Sequence, residues 1–271
     1  MMNPPIRQFA NSSIVDQLGK EIQLPSAPLR IVSVVPSQTE LLFSLGLEEE
    51  VVGITKFCIH PDHWFRFKPR VGGTKKLDID KIRALHPNLV IANKEENTEE
   101  DVKAIETFCP VWTSDVSSLS DALEMIKSIG NIIGMPEKSS AMASEISSEF
   151  SKLSIPGVYR VAYLIWKDPW MAAGGGTFIN DMLSACGMIN VLADTDRYPS
   201  VDISSLVQRD IEILLLSSEP YPFKINDLNL LAKILPKVKI VLVDGELFSW
   251  YGSRMLQAPA YFRALLEQLE V

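Results

Sequence analysis

The chain has 271 residues, of which 46% are hydrophobic and 22% charged, and its formal net charge is −8. That composition describes a folded globular protein with room for one large core or two of ordinary size, and it excludes disordered and fibrous classes. The acidic balance, with no basic cluster longer than Lys75-Lys76, argues against nucleic acid as a partner, and no run of apolar residues is long enough for membrane insertion.

The first residues, Met1-Met2-Asn3-Pro4-Pro5-Ile6-Arg7-Gln8-Phe9, have neither the apolar run nor the small-residue cleavage site of a secretory leader. Taken as written, the chain reads as cytoplasmic; with a leader removed ahead of it, it reads as periplasmic. Residues 14–24 alternate around Gly19 and predict a β-hairpin. Ile31-Val32-Ser33-Val34-Val35 is too short for a helix and rich in β-branched residues, which predicts a buried strand stopped by Pro36. Ser37-Gln38-Thr39-Glu40 has the spacing of a capping box and opens a helix over residues 41–45, closed by Gly46. Val51–Ile54 is the next strand, and the acidic segment 94–101 is a solvated loop running into a helix start.

Ser118-Leu119-Ser120-Asp121 is another capping box, starting a helix that Gly130 and Gly134 weaken. A fresh start at Pro136 leads into a long helix whose Ala141, Ile146, Phe150 and Leu153 fall roughly on one face, ended by Ser154-Ile155-Pro156-Gly157. The second half repeats the grammar. A strand covers residues 160–165, Gly174-Gly175-Gly176 is a turn, Thr177 is an N-cap, and a helix over residues 179–186 stops at Gly187. A later strand over residues 240–243 is followed by a turn carrying Trp250-Tyr251-Gly252.

One sentence is written twice. Residues 77–92 align without gaps on residues 201–216, each copy reading as a capping Asp (Asp78, Asp202), a short amphipathic helix, a turn and a buried strand. A repeat so far apart implies two similar lobes rather than a solenoid, and strand-turn-helix units with short connections imply parallel crossovers. The expected fold class is α/β: two lobes, each with a doubly wound, mainly parallel sheet, joined by a long backbone helix. The expected boundaries are residues 1–135 for the first lobe, 136–155 for the linking helix and 156–271 for the second. A cleft between such lobes is where a ligand belongs.

Little in the chain suggests catalysis. Cys58, Cys109 and Cys186 are odd in number and lack metal or redox spacing, so they read as buried or half-buried free thiols. The three histidines, His60, His63 and His86, all lie in the first half, no G-x-S-x-G occurs, and the glycine run lacks the Lys-Ser/Thr of a phosphate loop. No catalytic residue and no intrinsic cofactor are assigned. A bare metal held between lobes would draw ligands from both, and the second half offers no His, so no metal site is assigned either.

The loop aromatics are more informative. Trp166 and Trp170 flank Lys167-Asp168-Pro169 at the carboxyl end of a strand, where ligands of open α/β sheets bind. Phe57 and His60 follow Val51–Ile54 at the corresponding edge, Tyr198 precedes the second copy of the repeat, and Trp250 and Tyr251 lie in the last turn. Aromatics so placed are poor core candidates and good walls for a large, flat, partly apolar ligand.

At Arg30-Ile31-Val32-Ser33-Val34-Val35-Pro36-Ser37-Gln38-Thr39-Glu40-Leu41 the chain resembles the helical-backbone metal-receptor family, the periplasmic-binding-protein-like receptors that serve ABC importers for cobalamin, haem and iron–siderophore complexes. Within it the cobalamin-binding members are the most similar. Val52-Gly53-Ile54, residues 77–92, the helix from Pro136, residues 178–187, and Asp244-Gly245-Glu246 through Trp250-Tyr251-Gly252 also match, so the resemblance runs from about Phe9 onward. It implies a bilobal protein holding a corrinoid or other chelate flat between its lobes. It also implies that Phe57 and His60 stand where relatives carry cleft tyrosines, that Tyr198 falls near a cleft tryptophan, and that Thr74 and Asn93 replace two others. His60 is placed to approach a chelated metal axially. Such receptors dock on their permease through one acidic residue per lobe; Asp80 keeps that charge and Ser204 lacks it.

The resulting expectation is a non-enzymatic binding protein for a large metal chelate, cobalamin or another cobalt corrinoid first. It works as a monomer, with an ABC-importer permease as partner or as a signal-less relative without one. The alternatives are an iron–siderophore, haem or bare-metal receptor of the same fold, and a tetrapyrrole chelatase in which His60 is the one good base.

Overall fold

The computed structural model of the chain describes residues 13–23, 29–153 and 159–269. The expected helix end at residues 154–157, the residues before Ser13 and the hairpin's last residue, Leu24, lie outside the described residues. The chain falls into two compact units. One comprises the chain up to Asp115 with Asp121–Glu145 and Tyr251–Ser253, and the other comprises Val116–Ser120, Ile146–Trp250 and the chain from Arg254 onward.

The first half opens with a hairpin of β1 (Ser13–Val15) and β2 (Glu21–Gln23). Next come β3 (Ile31–Ser33), α1 (Pro36–Leu45), β4 (Val51–Ile54) and α2 (Asp62–Phe67), then a ribbon of β5 (Gly72–Gly73) and β6 (Lys76–Leu77). α3 (Ile79–Ala84), β7 (Leu89–Asn93), α4 (Glu99–Glu106), β8 (Val111–Ser114), α5 (Leu119–Ile132) and α6 (Pro136–Ser151) complete it. The sheet has the order β4-β3-β7-β8 and is parallel throughout. Its strands are continuous apolar runs because both faces are covered. Val32, Val90, Ala92 and Val111 pack on Ile82 of α3 and Ile105 of α4. Ile31, Leu89, Ile91 and Trp112, which alternation turns the other way, are just as buried.

The second half runs β9 (Tyr159–Trp166), β10 (Met171–Ala172), α7 (Phe178–Ala185), β11 (Met188–Asn190), a 3-10 turn over Ile203–Arg209 and β12 (Ile213–Ser217). It continues with α8 (Ile225–Ile234), β13 (Lys239–Val243), α9 (Glu246–Ser249), a 3-10 turn over Ser253–Leu256 and α10 (Ala258–Leu269). β11 and β12 pair with β9 in parallel, β13 extends the sheet in parallel from β12, and β10 is antiparallel to β9. Each half is thus the mainly parallel α/β sheet that the sequence predicts. None of the described helices is long and apolar enough to cross a membrane.

The written repeat is also a bonded one. Asp78 caps α3 by accepting from Lys81 N at 3.1 Å, and Asp202 caps its turn by accepting from Ser204 N at 3.0 Å. Ile82 and Leu206, at equivalent positions, each pack on their own sheet. Each copy then reverses through a left-handed residue, His86 at φ 48 and Asp210 at φ 51. The copies differ in one respect: the second is a 3-10 turn where an amphipathic helix is predicted. Ser204 Oγ bonds Asp202 Oδ1 at 2.8 Å and Ser205 Oγ bonds Asp202 O at 2.7 Å, and such short-range hydroxyl bonds compete with α-helical pairing.

Other local expectations shift. α1 begins at Pro36, not after a capping box at Ser37. Proline suits the first helical position, and Ser37, Gln38 and Thr39 are buried inside the helix rather than capping it. α5 continues through Gly130, whose missing side chain admits Ser139 of α6. The buried stripe of α6 is Ser139, Ala143, Ile146 and Phe150, while Ala141 faces solvent and Leu153 lies past the helix. Trp250 does not follow β13 directly, because α9 intervenes.

Candidate functional site

In the first unit a buried polar lattice fixes the loops at the carboxyl edge of the sheet. Thr39 Oγ1 donates to Ser33 Oγ at 2.7 Å, and the hydroxyls of Thr39 and Thr55 each lie 3.1 Å from Cys58 Sγ. Asn93 Nδ2 donates to Ser114 Oγ at 3.0 Å, and the Gln38 amide donates to the same hydroxyl. Asn97 Nδ2 donates to Val34 O at 3.2 Å and to Thr74 O at 3.1 Å, tying the end of β3 and the turn between β5 and β6 to the turn after β7. Thr74 and Asn93, which the resemblance sets in place of two tryptophans, are buried parts of this lattice.

Above it stands Phe57, 50% exposed, with the Lys56 ammonium 5.0 Å from its ring centroid. His60 is half-buried and precedes cis Pro61. His63 is directed elsewhere, its Nε2 3.2 Å from Glu48 Oε2 and its ring edge-on to Phe43 at 5.2 Å. Among the described residues no three His, Cys, Asp or Glu side chains are grouped to hold a metal ion.

In the second unit the carboxyl ends of β9 and β12 carry a chain of rings. Trp166, 40% exposed, meets Tyr221 edge-on at 5.8 Å. Tyr221 meets Phe223 at 4.7 Å, and Phe223 stacks on Trp170 at 6.1 Å with the planes 8° apart. Lys167 pins the group, its Nζ 2.8 Å from Asp227 Oδ1 and 5.6 Å from the Trp170 centroid. Burial alone would raise the Asp227 carboxyl, but the Lys167 ammonium and the Lys224 N–H outweigh it and hold the group below the usual aspartate range.

Trp250 and Tyr251 depart from the premise that loop rings avoid the interior, being 7% and 8% exposed. Trp250 Nε1 donates to Glu219 Oε1 at 2.8 Å, and the Arg254 guanidinium, itself 2.7 Å from Glu246, lies 5.0 Å from the Trp250 ring centroid. Tyr198 is half-buried in the segment that runs beside Gly174 and Gly175. That segment also explains the glycine run. A Cβ on Gly174 would sit 2.1 Å from Thr195 O and one on Gly175 2.3 Å from Ala193 O. The N–H groups of both glycines are spent on Arg197 O and Thr195 O, at 2.7 Å each, so they do not form an anion cradle.

Asp80 is exposed on α3, and Ser204, equally exposed, ties its hydroxyl to Asp202. Sequence reasoning missed Tyr221, Phe223, Glu219 and Arg254. The rule that selected Trp166 reaches Tyr221-Pro222-Phe223, which follow β12 at the same edge. Glu219 and Arg254 reach Trp250 from other segments, contacts no local pattern announces.

Residues 31–232 match the family model described as periplasmic binding protein. The chain is similar to the vitamin B12-binding protein of Pectobacterium carotovorum subsp. carotovorum, at 22% identity over 239 residues, covering 85% of this chain and 86% of that protein. It is similar in structure to a periplasmic vitamin B12-binding protein of Vibrio cholerae, with TM-score 0.73 and 18% identity over 90% of this chain and 98% of that one. It is also similar to a periplasmic haem-binding protein of Roseiflexus sp. RS-1 in apo form, with TM-score 0.76 and 22% identity over 89% of this chain and 100% of that one. At such identities these structural likenesses establish the fold alone.

Proposed function

The chain belongs to the periplasmic binding protein family, and from that premise we propose that it binds a cobalt corrinoid, cobalamin or a close relative, as its cargo. It is a solute-binding protein, not an enzyme, and it carries no intrinsic cofactor. The observation that carries the corrinoid reading is Trp166, exposed at the carboxyl edge of the second sheet and backed by half-buried Tyr221 and Trp170 on the core ring Phe223, an apolar surface suited to a flat macrocycle. The similarity to vitamin B12-binding proteins over most of the chain supports it. The proposed contacts are Phe57, His60 and Tyr251 in the first unit, and Trp166, Trp170, Tyr198 and Trp250 in the second. Asp80 is the proposed permease contact. The partner is an ABC-importer permease and the compartment the periplasm.

Haem is the second reading, favoured by the likeness to a haem-binding protein of the same fold. Incubation of purified protein with cyanocobalamin, dicyanocobinamide and haem, followed by gel filtration, separates the two. A corrin spectrum co-eluting with the protein supports the first reading, a haem spectrum alone replaces it with the second, and colourless protein with all three overturns both.

A further inference from the structure

The turn after β7 places an acid where the proposed cargo would rest. Asn93 Oδ1 accepts from Glu95 N at 2.8 Å and from Glu96 N at 3.0 Å, and Asn97 Oδ1 accepts from Asn93 N at 2.9 Å. With Asn97 bonded to Val34 and Thr74, this turn is locked against the carboxyl end of β3 and the turn between β5 and β6, and Glu96 also interacts electrostatically with Cys58 in the loop after β4. Glu96 therefore sits near the middle of the edge on a rigid support. Among the described residues no group hydrogen-bonds its carboxyl. Burial pushes that carboxyl up, and the Lys75 ammonium only partly offsets the effect.

The cations of the same edge are already engaged. Lys75 Nζ donates to Glu95 O, Lys94 Nζ lies 2.6 Å from Asp115 Oδ2, and Lys56 lies over the Phe57 ring. Glu96 is half-buried, and a half-buried carboxyl without a donor gains from any group that supplies one. An amide N–H does so at no charge cost, whereas a second carboxylate brings repulsion that low dielectric magnifies. The two chelate classes differ in this respect: the corrin rim carries neutral amides and the haem rim carries two carboxylates.

We propose that Glu96 is a specificity-determining residue, accepting from or donating to a rim amide of a corrinoid and turning away chelates whose rim bears carboxylates. The proposal rests on the chelate-binding reading above. The test is absorbance titration of wild type, Glu96→Gln and Glu96→Lys with dicyanocobinamide and with ferric haem, with melting midpoints as the folding check. Wild type should favour dicyanocobinamide. Glu96→Gln, isosteric and still an amide partner, should hold that affinity within about threefold, while Glu96→Lys should shift the corrin-to-haem ratio toward haem by about tenfold or more. A ratio unchanged within about twofold in Glu96→Lys, with wild type binding dicyanocobinamide, overturns this inference and leaves the binding function standing. Failure of folded wild type to bind either chelate overturns the function itself and this inference with it.

Discussion

Arg30 and Arg160 make the same set of contacts, one in each unit. Arg30 donates from N to Asn88 Oδ1 at 2.7 Å, from Nε to His86 O at 3.1 Å and from Nη2 to Leu85 O at 2.7 Å. Arg160 donates from N to Glu212 Oε2 at 2.7 Å, from Nε to Asp210 O at 3.1 Å and from Nη2 to Arg209 O at 2.8 Å. In both units the guanidinium fork spans two successive carbonyls that the left-handed residue leaves without helical partners. The two halves share a stapled helix-to-strand corner as well as a sequence pattern.

Removing either staple should cost similar stability. Arg30→Ala and Arg160→Ala are each expected to lose about 1 kcal/mol in urea unfolding. Lysine at either position should recover little, because a point charge cannot span both carbonyls. A lysine variant as stable as wild type would show that charge, not the fork, is what matters.

Gly130 is an absolute packing requirement. A Cβ there would lie 1.7 Å from Ser139 Oγ and 2.2 Å from Ser139 Cβ. Gly130→Ala should therefore cost about 2 kcal/mol or more, against the gain alanine brings to an ordinary helix interior. Ser139→Gly should rescue it in the double variant and Ser139→Ala should not, since the second clash is with Cβ. Thermal melts of the four proteins decide the matter.

Much of this was legible in the sequence. The parallel sheets announced themselves as short β-branched runs, and the repeat at Asp78 and Asp202 named both capped corners before any coordinate. The staples of Arg30 and Arg160 are not legible in the sequence, because their partners lie 55 and 49 residues away at Leu85 and Arg209. The exposure of Phe57 follows from its place in a loop, and that of Trp166 from its place at the last residue of β9. The burial of Trp250 and Tyr251 does not, because it depends on Glu219 and Arg254, which reach the tryptophan from other segments. Gly130 reads as a helix breaker until its neighbour Ser139 is known.

Acid should weaken the second unit through Asp227. Its folded carboxyl lies below its ordinary value of 3.8, so the stability it contributes is complete above that value and is lost as pH falls through the folded value. Lys167 is raised, by its bond to Asp227 first, so its share is present below its ordinary 10.5 and fades as pH rises beyond it. Asp227→Asn should flatten the acid limb of a stability–pH profile measured by urea midpoint. An unchanged acid limb would contradict the pairing.

The thiols should be silent in the folded protein. Burial raises the pKa of Cys58, pushes Cys109 up to about 12 and raises Cys186 as well. Thiolate is the reactive form, so a disulfide reagent at pH 8 should label none of the three in native protein and all three in denaturant. Rapid labelling of one native thiol would mark an opening that the packing does not predict.

Calorimetric titration of the purified chain with dicyanocobinamide addresses corrinoid capture most directly, with Trp166→Ala in parallel. The account predicts one chelate per chain, with affinity falling about tenfold or more in the variant as the exposed end of the ring chain is removed. Heat no greater than dilution for folded wild type, or full affinity retained without Trp166, would contradict it.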